Sequence, residues 1–123
     1  LCPPHATPAV GHRQSGDFTP AGCYCMRYNF LNMPAGVVPV TRVHDDETTR
    51  PAPEGRPADR VDQKATLVEA GSAGLPVGVQ IAARPYQEDI VLALMMAVEQ
   101  GAKAGANFPH TPVSPNRDAV RES

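Results

Sequence analysis

Two short runs, residues 36–43 in "GVVPVTRV" and 75–83 in "LPVGVQIAA", are apolar at consecutive rather than alternate positions. Unbroken runs of this kind fit strands covered on both faces, the usual condition of interior strands in a parallel or mixed α/β sheet. No third stretch reads convincingly as a strand, and two strands cannot supply such an interior. The chain therefore calls for further strands, from a partner or from a longer polypeptide.

The remaining elements arrange themselves around these two runs. Prolines at 3, 4 and 8 forbid a helix at the start and bias their neighbours to extended backbone, so 1–20 is expected to be an irregular opening. A helix is predicted over about 20–31, with Thr19 as N-cap and Pro20 at the first helical position, and Pro34 stops it. The charged, proline-rich stretch 44–64, "HDDETTRPAPEGRPADRVDQK", reads as a solvated loop. A second helix is expected over roughly 87–100, with Glu88 and Asp89 in its first turn and Gly101 as its stop. Ile90, Val91, Leu92, Leu94, Met95, Met96 and Val98 make that helix apolar almost all round, as buried helices are. From 102 onward the sequence is polar and broken by prolines.

Composition excludes several classes of protein. A chain of 123 residues fits one domain, and 41% hydrophobic with 20% charged is ordinary for a folded one. A net charge of −2 with both signs mixed is unsuited to a nucleic-acid surface, so no nucleic-acid partner is expected. The longest apolar run, "IVLALMMAV" at 90–98, is about half of what a bilayer requires. "LCPP" has none of the layout of a signal peptide. Three cysteines, an odd number, suit reduced thiols in a cytoplasmic setting.

Residue chemistry alone offers no active site. Cys23 and Cys25 stand two apart in a predicted helix, about 200° from each other around its axis, so regular geometry cannot bring them to one metal. His5, His12, His44 and His110 are scattered through loop-like sequence with no two at ligand spacing. "GSAG" at 71–74 lacks the Gly-x-Ser-x-Gly spacing and the strand-to-helix context of a nucleophile elbow, and Ser72 is read as part of a tight turn. Neither a phosphate-binding glycine loop nor a dinucleotide fingerprint is present, and no cofactor or metal is expected.

Three stretches carry a resemblance: "CPPHATPAV", then "YNFLNMPAGVVPVTRV", then "EAGSAGLPVGVQIAARPYQEDIVLALMMAVE". In this order they look like the last third of an amidase-signature hydrolase, nearest the fatty acid amide hydrolase branch and its bacterial and fungal relatives, over about Leu1 to Pro112. The resemblance implies an α/β fold: the C-terminal strands and covering helices of a mixed-sheet α/β/α domain, with 1–115 an incomplete amidase domain and 116–123 a polar tail. Members of that family use a Ser, cis-Ser, Lys centre in a glycine- and serine-rich region upstream. None of Ser15, Ser72, Ser114, Ser123, Lys64 or Lys103 stands in such a motif, so no catalytic residue is expected in this chain.

In the same branch, the stretch similar to "FTPAGCYCMRYN" lines the channel for the acyl chain, which implies substrate-binding roles for Thr19, Gly22 and Met26. Their spacings of three and four put them on one face of a helix. Gly22 differs from the branched residue of the animal enzymes, and Cys23 and Cys25 replace small or hydroxyl residues. The implied partners are a small amide substrate and the upstream part of the domain. The alternative expectation is a free-standing, non-catalytic binding module. The sequence sets no expectation about membrane association of a complete enzyme.

Overall fold

A computed structural model of the chain describes residues 1–110. Its elements, in chain order, are a 3-10 helix (Ser15–Gly22), α1 (Cys23–Phe30), β1 (Ala35–Arg42), a short 3-10 turn (Asp45–Glu47), α2 (Arg60–Glu69), β2 (Pro76–Ala82) and α3 (Glu88–Ala102). The expected boundary at 115 and the tail 116–123 lie outside the described residues.

Both predicted strands form, and they pair antiparallel, from Ala35 opposite Ala82 to Arg42 opposite Pro76. The register slips between Pro39 and Thr41, a bulge at the point where proline has no N–H to give the ladder. The N-terminal segment adds one rung on the far side of β2: the N–H of Cys2 donates to the Gln80 carbonyl at 3.0 Å, and the Gln80 N–H to the Cys2 carbonyl at 2.8 Å. β2 is thus flanked on both edges. Among the described residues, β1 is paired only with β2.

One face of the pair is sealed by α3. Val38, Ile81 and Val91 are its fully buried centre, and Val40, Ala83, Met95 and Val98 pack around them. Val91, Met95 and Val98 lie at helical spacings of four and three, so a single stripe of α3 meets the sheet. The expectation that this helix is buried all round does not hold within the described residues: Ile90 is 43% exposed, Leu92 60% and Met96 60%. The opposite face of the sheet is also partly open, with Val37 48% exposed.

Four other expectations need correction. The first helix does not begin at Thr19. Residues 15–22 wind as a 3-10 helix, the Thr19 hydroxyl donates back to the Gly16 carbonyl at 3.0 Å, and the α-helix starts at Cys23 behind Gly22 with no side-chain cap. It ends at Phe30, near the expected end, but the turn at Asn32 rather than Pro34 closes it. Asn32 takes a positive φ of 51°, its N–H bonds the Asn29 carbonyl, and the Met33 N–H bonds the Tyr28 carbonyl at 2.9 Å, which is a Schellman closure with Asn in the left-handed position.

The stretch 44–64 is not all loop, because α2 begins at Arg60. Asp59 caps it by accepting from the N–H groups of Val61 and Asp62 at 2.8 and 2.9 Å, while Asp62 returns the favour to the Asp59 N–H at 2.9 Å. Finally, α3 runs through Gly101, and the chain beyond it turns back. Phe108 is buried, and the Asn107 side-chain amide meets His44 Nε2 at 2.9 Å. No helix among the described residues is long and apolar enough to cross a membrane.

Arg56 reinforces the cap of α2, its guanidinium reaching Asp62 Oδ1 at 3.0 Å. That contact, followed by the Asp59 N–H, draws the Asp62 carboxyl from 3.8 down to about 2. The folded state therefore prefers the charged carboxylate. Its support of the helix is full above the unfolded value and is lost as pH falls from about 4 through about 2. Titration of the Asp62 carboxyl by NMR should show this depressed midpoint, with the Asp59 amide losing protection in the same window. In Asp62→Asn the window should vanish. An Asp62 midpoint at its ordinary value would refute the cap.

Two glycines mark where backbone and side chain approach most closely. A Cβ at Gly36 would run into the Met95 thioether, whereas one at Gly78 would lie 2.8 Å from Val37 Cγ1 and 3.1 Å from the Val38 carbonyl oxygen. A methionine side chain can swing aside; a ladder carbonyl cannot. Gly78→Ala should therefore cost about 1–3 kcal/mol and Gly36→Ala less, read as the order of urea midpoints. The reverse order would show that α3, not the ladder, is the tighter contact.

Candidate functional site

The face implied to bind substrate spans the junction between the 3-10 helix and α1. In a 3-10 helix residues three apart eclipse one another, so Thr19 lies directly over Gly22. One α turn later comes Met26. The sulfur-bound methyl of Met26 is 3.8 Å from where a Gly22 Cβ would stand, and Cys25 Sγ is 4.0 Å from it. Thr19 and Met26 are exposed and Gly22 is half-buried. The surface they make is open and, apart from the Thr19 hydroxyl, already bonded to Gly16, it is apolar.

The cysteines beside this face are all free thiols. Cys25 Sγ donates to the Gly22 carbonyl at 3.0 Å, inside the junction, while Cys23 points outward and is exposed. Among the described residues no group of three or more His, Cys, Asp or Glu side chains is placed to hold a metal ion.

The row behind the face was not singled out from sequence. Phe18 and Ala21, each one position before Thr19 and Gly22, are buried against Ala65 of α2, with Val10 packed alongside. The signal was present as a small apolar pair three apart, the period of a 3-10 helix, and as the Asp59–Asp62 cap that starts α2. A second charged contact holds the other end of that helix, where Arg50 Nε donates to Glu69 Oε2 at 2.9 Å and its terminal nitrogen engages the second carboxylate oxygen. Glu69 raises the Arg50 pKa further, so the guanidinium stays charged.

Ser72 and Lys103 are tied up in structure. Ser72 is fully buried, and its Oγ gives its proton to the Glu69 carbonyl at 2.8 Å, closing the turn after α2 together with Gly74 at φ 78°. Lys103 is paired with Glu99 at 3.2 Å. Ser114 and Ser123 lie outside the described residues. A cleft of about 560 Å³ runs between Pro3–Val10 and the open sheet face at Val37, Pro39 and Val77. His5 borders it, but its Nδ1 is held by the Thr7 N–H at 3.3 Å and its ring rests on Phe18. A cleft so lined can hold apolar surface; no group in it is poised to attack a bond.

The family model described as Amidase matches residues 1–92. The chain is similar to fatty acid amide hydrolase 1 of Caenorhabditis elegans, 38% identical over 102 residues, which are 80% of this chain and 17% of that protein. It is also similar to fatty-acid amide hydrolase 1 of Sus scrofa, 40% identical over 98 residues, 79% of this chain and 17% of that one. The chain thus spans about a sixth of the length of the curated relatives it matches. On the family match over three quarters of its length, the chain belongs to the amidase family.

Proposed function

We propose that the chain serves as the C-terminal segment of an amide hydrolase acting on fatty acid amides, with a Ser, cis-Ser, Lys centre carried by a part of the domain upstream of Leu1. In that centre a serine attacks the amide carbonyl, a neutral lysine accepts its proton through the second serine, and backbone N–H groups hold the oxyanion. The lysine must be uncharged to work as a base, which burial arranges by lowering its pKa. This segment contributes sheet, covering helix and, through Thr19, Gly22 and Met26, one wall of the groove for the acyl chain. Free thiols on all three cysteines support a reducing, cytoplasmic setting.

The observation that carries the reading is β1. Among the described residues it is apolar on both faces and paired on one edge only, and α3 beside it leaves Ile90, Leu92 and Met96 exposed. An edge with such faces is an aggregation hazard for a free module and an ordinary junction inside a larger sheet.

The test is a graft. Residues of this chain replace the matching stretch of the Sus scrofa relative, and hydrolysis of a long and a short acyl amide is measured for the graft and for the chain alone. The graft should turn over both substrates and the chain neither. Turnover by the chain alone, abolished by Ser72→Ala, would overturn the assignment. A chain that is a monodisperse monomer with a sharp melt, beside a graft that folds but is inert, would favour the free-standing binding module.

Gly22→Ile then tests the groove wall. Its Cβ meets only ordinary contacts, so the fold should accept it. Its added carbons should lower the ratio of kcat/KM for long over short amides by about 1–3 kcal/mol, on the order of ten- to two-hundredfold. An unchanged ratio in folded protein would return this face to packing.

A further inference from the structure

We infer that α2 sets the width of the acyl groove, with Ala65 and the Arg50–Glu69 pair as positioning residues that act through the 3-10 helix; the inference rests on the groove reading above. An eight-residue 3-10 helix is long for its kind, since its hydrogen bonds are poorer than those of an α-helix, and Pro20 removes one donor within it. Such a helix keeps its place by packing. Its packing row is Phe18 and Ala21, 3% and 5% exposed, covered by Ala65, 1% exposed, on α2 and by Val10 and the His5 ring of the N-terminal segment.

The groove row, Thr19 and Gly22, is the next row round, about 120° away at three residues per turn. Displacing the helix away from α2 therefore carries about half of the movement along the direction in which Thr19 and Gly22 face. α2 is itself fixed at its start by the Asp59–Asp62–Arg56 cap and at its end by Glu69 on Arg50. Glu69 is 12% exposed at its side chain and Arg50 32%, so this second pair is largely sheltered from water. Residue 50 lies in the proline-rich connection, and through Glu69 that connection reaches the back of the groove.

Two variants test this, in the graft and in the chain itself. Ala65→Leu overfills the contact and pushes the 3-10 helix outward; Arg50→Gln releases α2 without touching the packed row. Glu54→Gln, on the same exposed connection, is the control. Both test variants should change the long-to-short ratio of kcat/KM by on the order of three- to tenfold, Ala65→Leu against long chains, while kcat for the short amide stays at wild type. A merely structural role would lower both substrates alike. The second readout is alkylation with N-ethylmaleimide resolved by peptide mass: Cys25, sheltered at the junction, should react severalfold faster in both variants, with exposed Cys23 unchanged as reference.

A ratio that moves in Gly22→Ile but not in folded Ala65→Leu or Arg50→Gln overturns the inference and leaves the groove standing. A ratio unmoved even by Gly22→Ile removes the groove. In that case Cys25 labelling alone decides whether α2 positions the junction: faster labelling in Arg50→Gln retains that coupling, and wild-type labelling overturns it. Should Ala65→Leu fail to fold, Arg50→Gln, at a partly exposed side chain outside the packed row, carries the test.

Discussion

The ladder between β1 and β2 is the contact on which the other elements depend. It joins residues some forty positions apart, and the closeness of its strands at Gly78 leaves no room for a Cβ beside the Val38 carbonyl. Only after that pairing is made do Val38 and Ile81 stand side by side as a surface for Val91. The same ladder gives the N-terminal segment its footing, because Cys2 bonds β2 at Gln80 and the Pro3–Val10 stretch then crosses the open sheet face. Helix α1 enters the arrangement at second hand, through the Schellman turn at Asn32 that aims the chain into β1.

Two small cores result rather than one. The first lies between the sheet and α3, around Val38, Ile81 and Val91; the second lies between the 3-10 helix and α2, around Phe18, Ala21 and Ala65. The second has alanine at two of its three buried positions, so its free energy of burial is modest and its geometry is set by close approach more than by apolar area. Charge completes what area does not supply. The helix that closes this core is held at both ends by ion pairs and a reciprocal cap, which explains why a stretch so rich in Arg and Asp is ordered at all.

What could be read from the sequence follows this division. β1, β2 and α3 were legible to within a residue or two because their signals are dense: long apolar runs, carboxylates in the first turn of α3, a glycine-closed turn before β2. The second core was not, since α2 buries only one small residue, Ala65, and leaves Val61 and Leu67 exposed in proline-rich surroundings. Periodicity has nothing to detect when the buried stripe is a single alanine. Thr19–Pro20 misled in a more particular way. It has the chemistry of an N-cap followed by N1, yet Phe18 and Ala21 pack together on α2, and a three-residue period stacks them in one row. Tertiary packing overrode a local preference worth about 1 kcal/mol.

The same override shapes the candidate site. Spacings of three and then four, from Thr19 to Gly22 to Met26, suit a 3-10 turn that gives way to an α turn, so the three positions share a face through a change of helix type. Had the α-helix begun at Thr19, Phe18 would have fallen outside it and the packed row would not exist. The groove row and the packed row are therefore not independent features of one helix: the need to bury Phe18 and Ala21 on Ala65 selects the tighter winding, and the tighter winding sets where Thr19 and Gly22 point. The inner side of this stretch answers to α2 and its outer side is left apolar and open, which is the shape that the proposed groove wall requires.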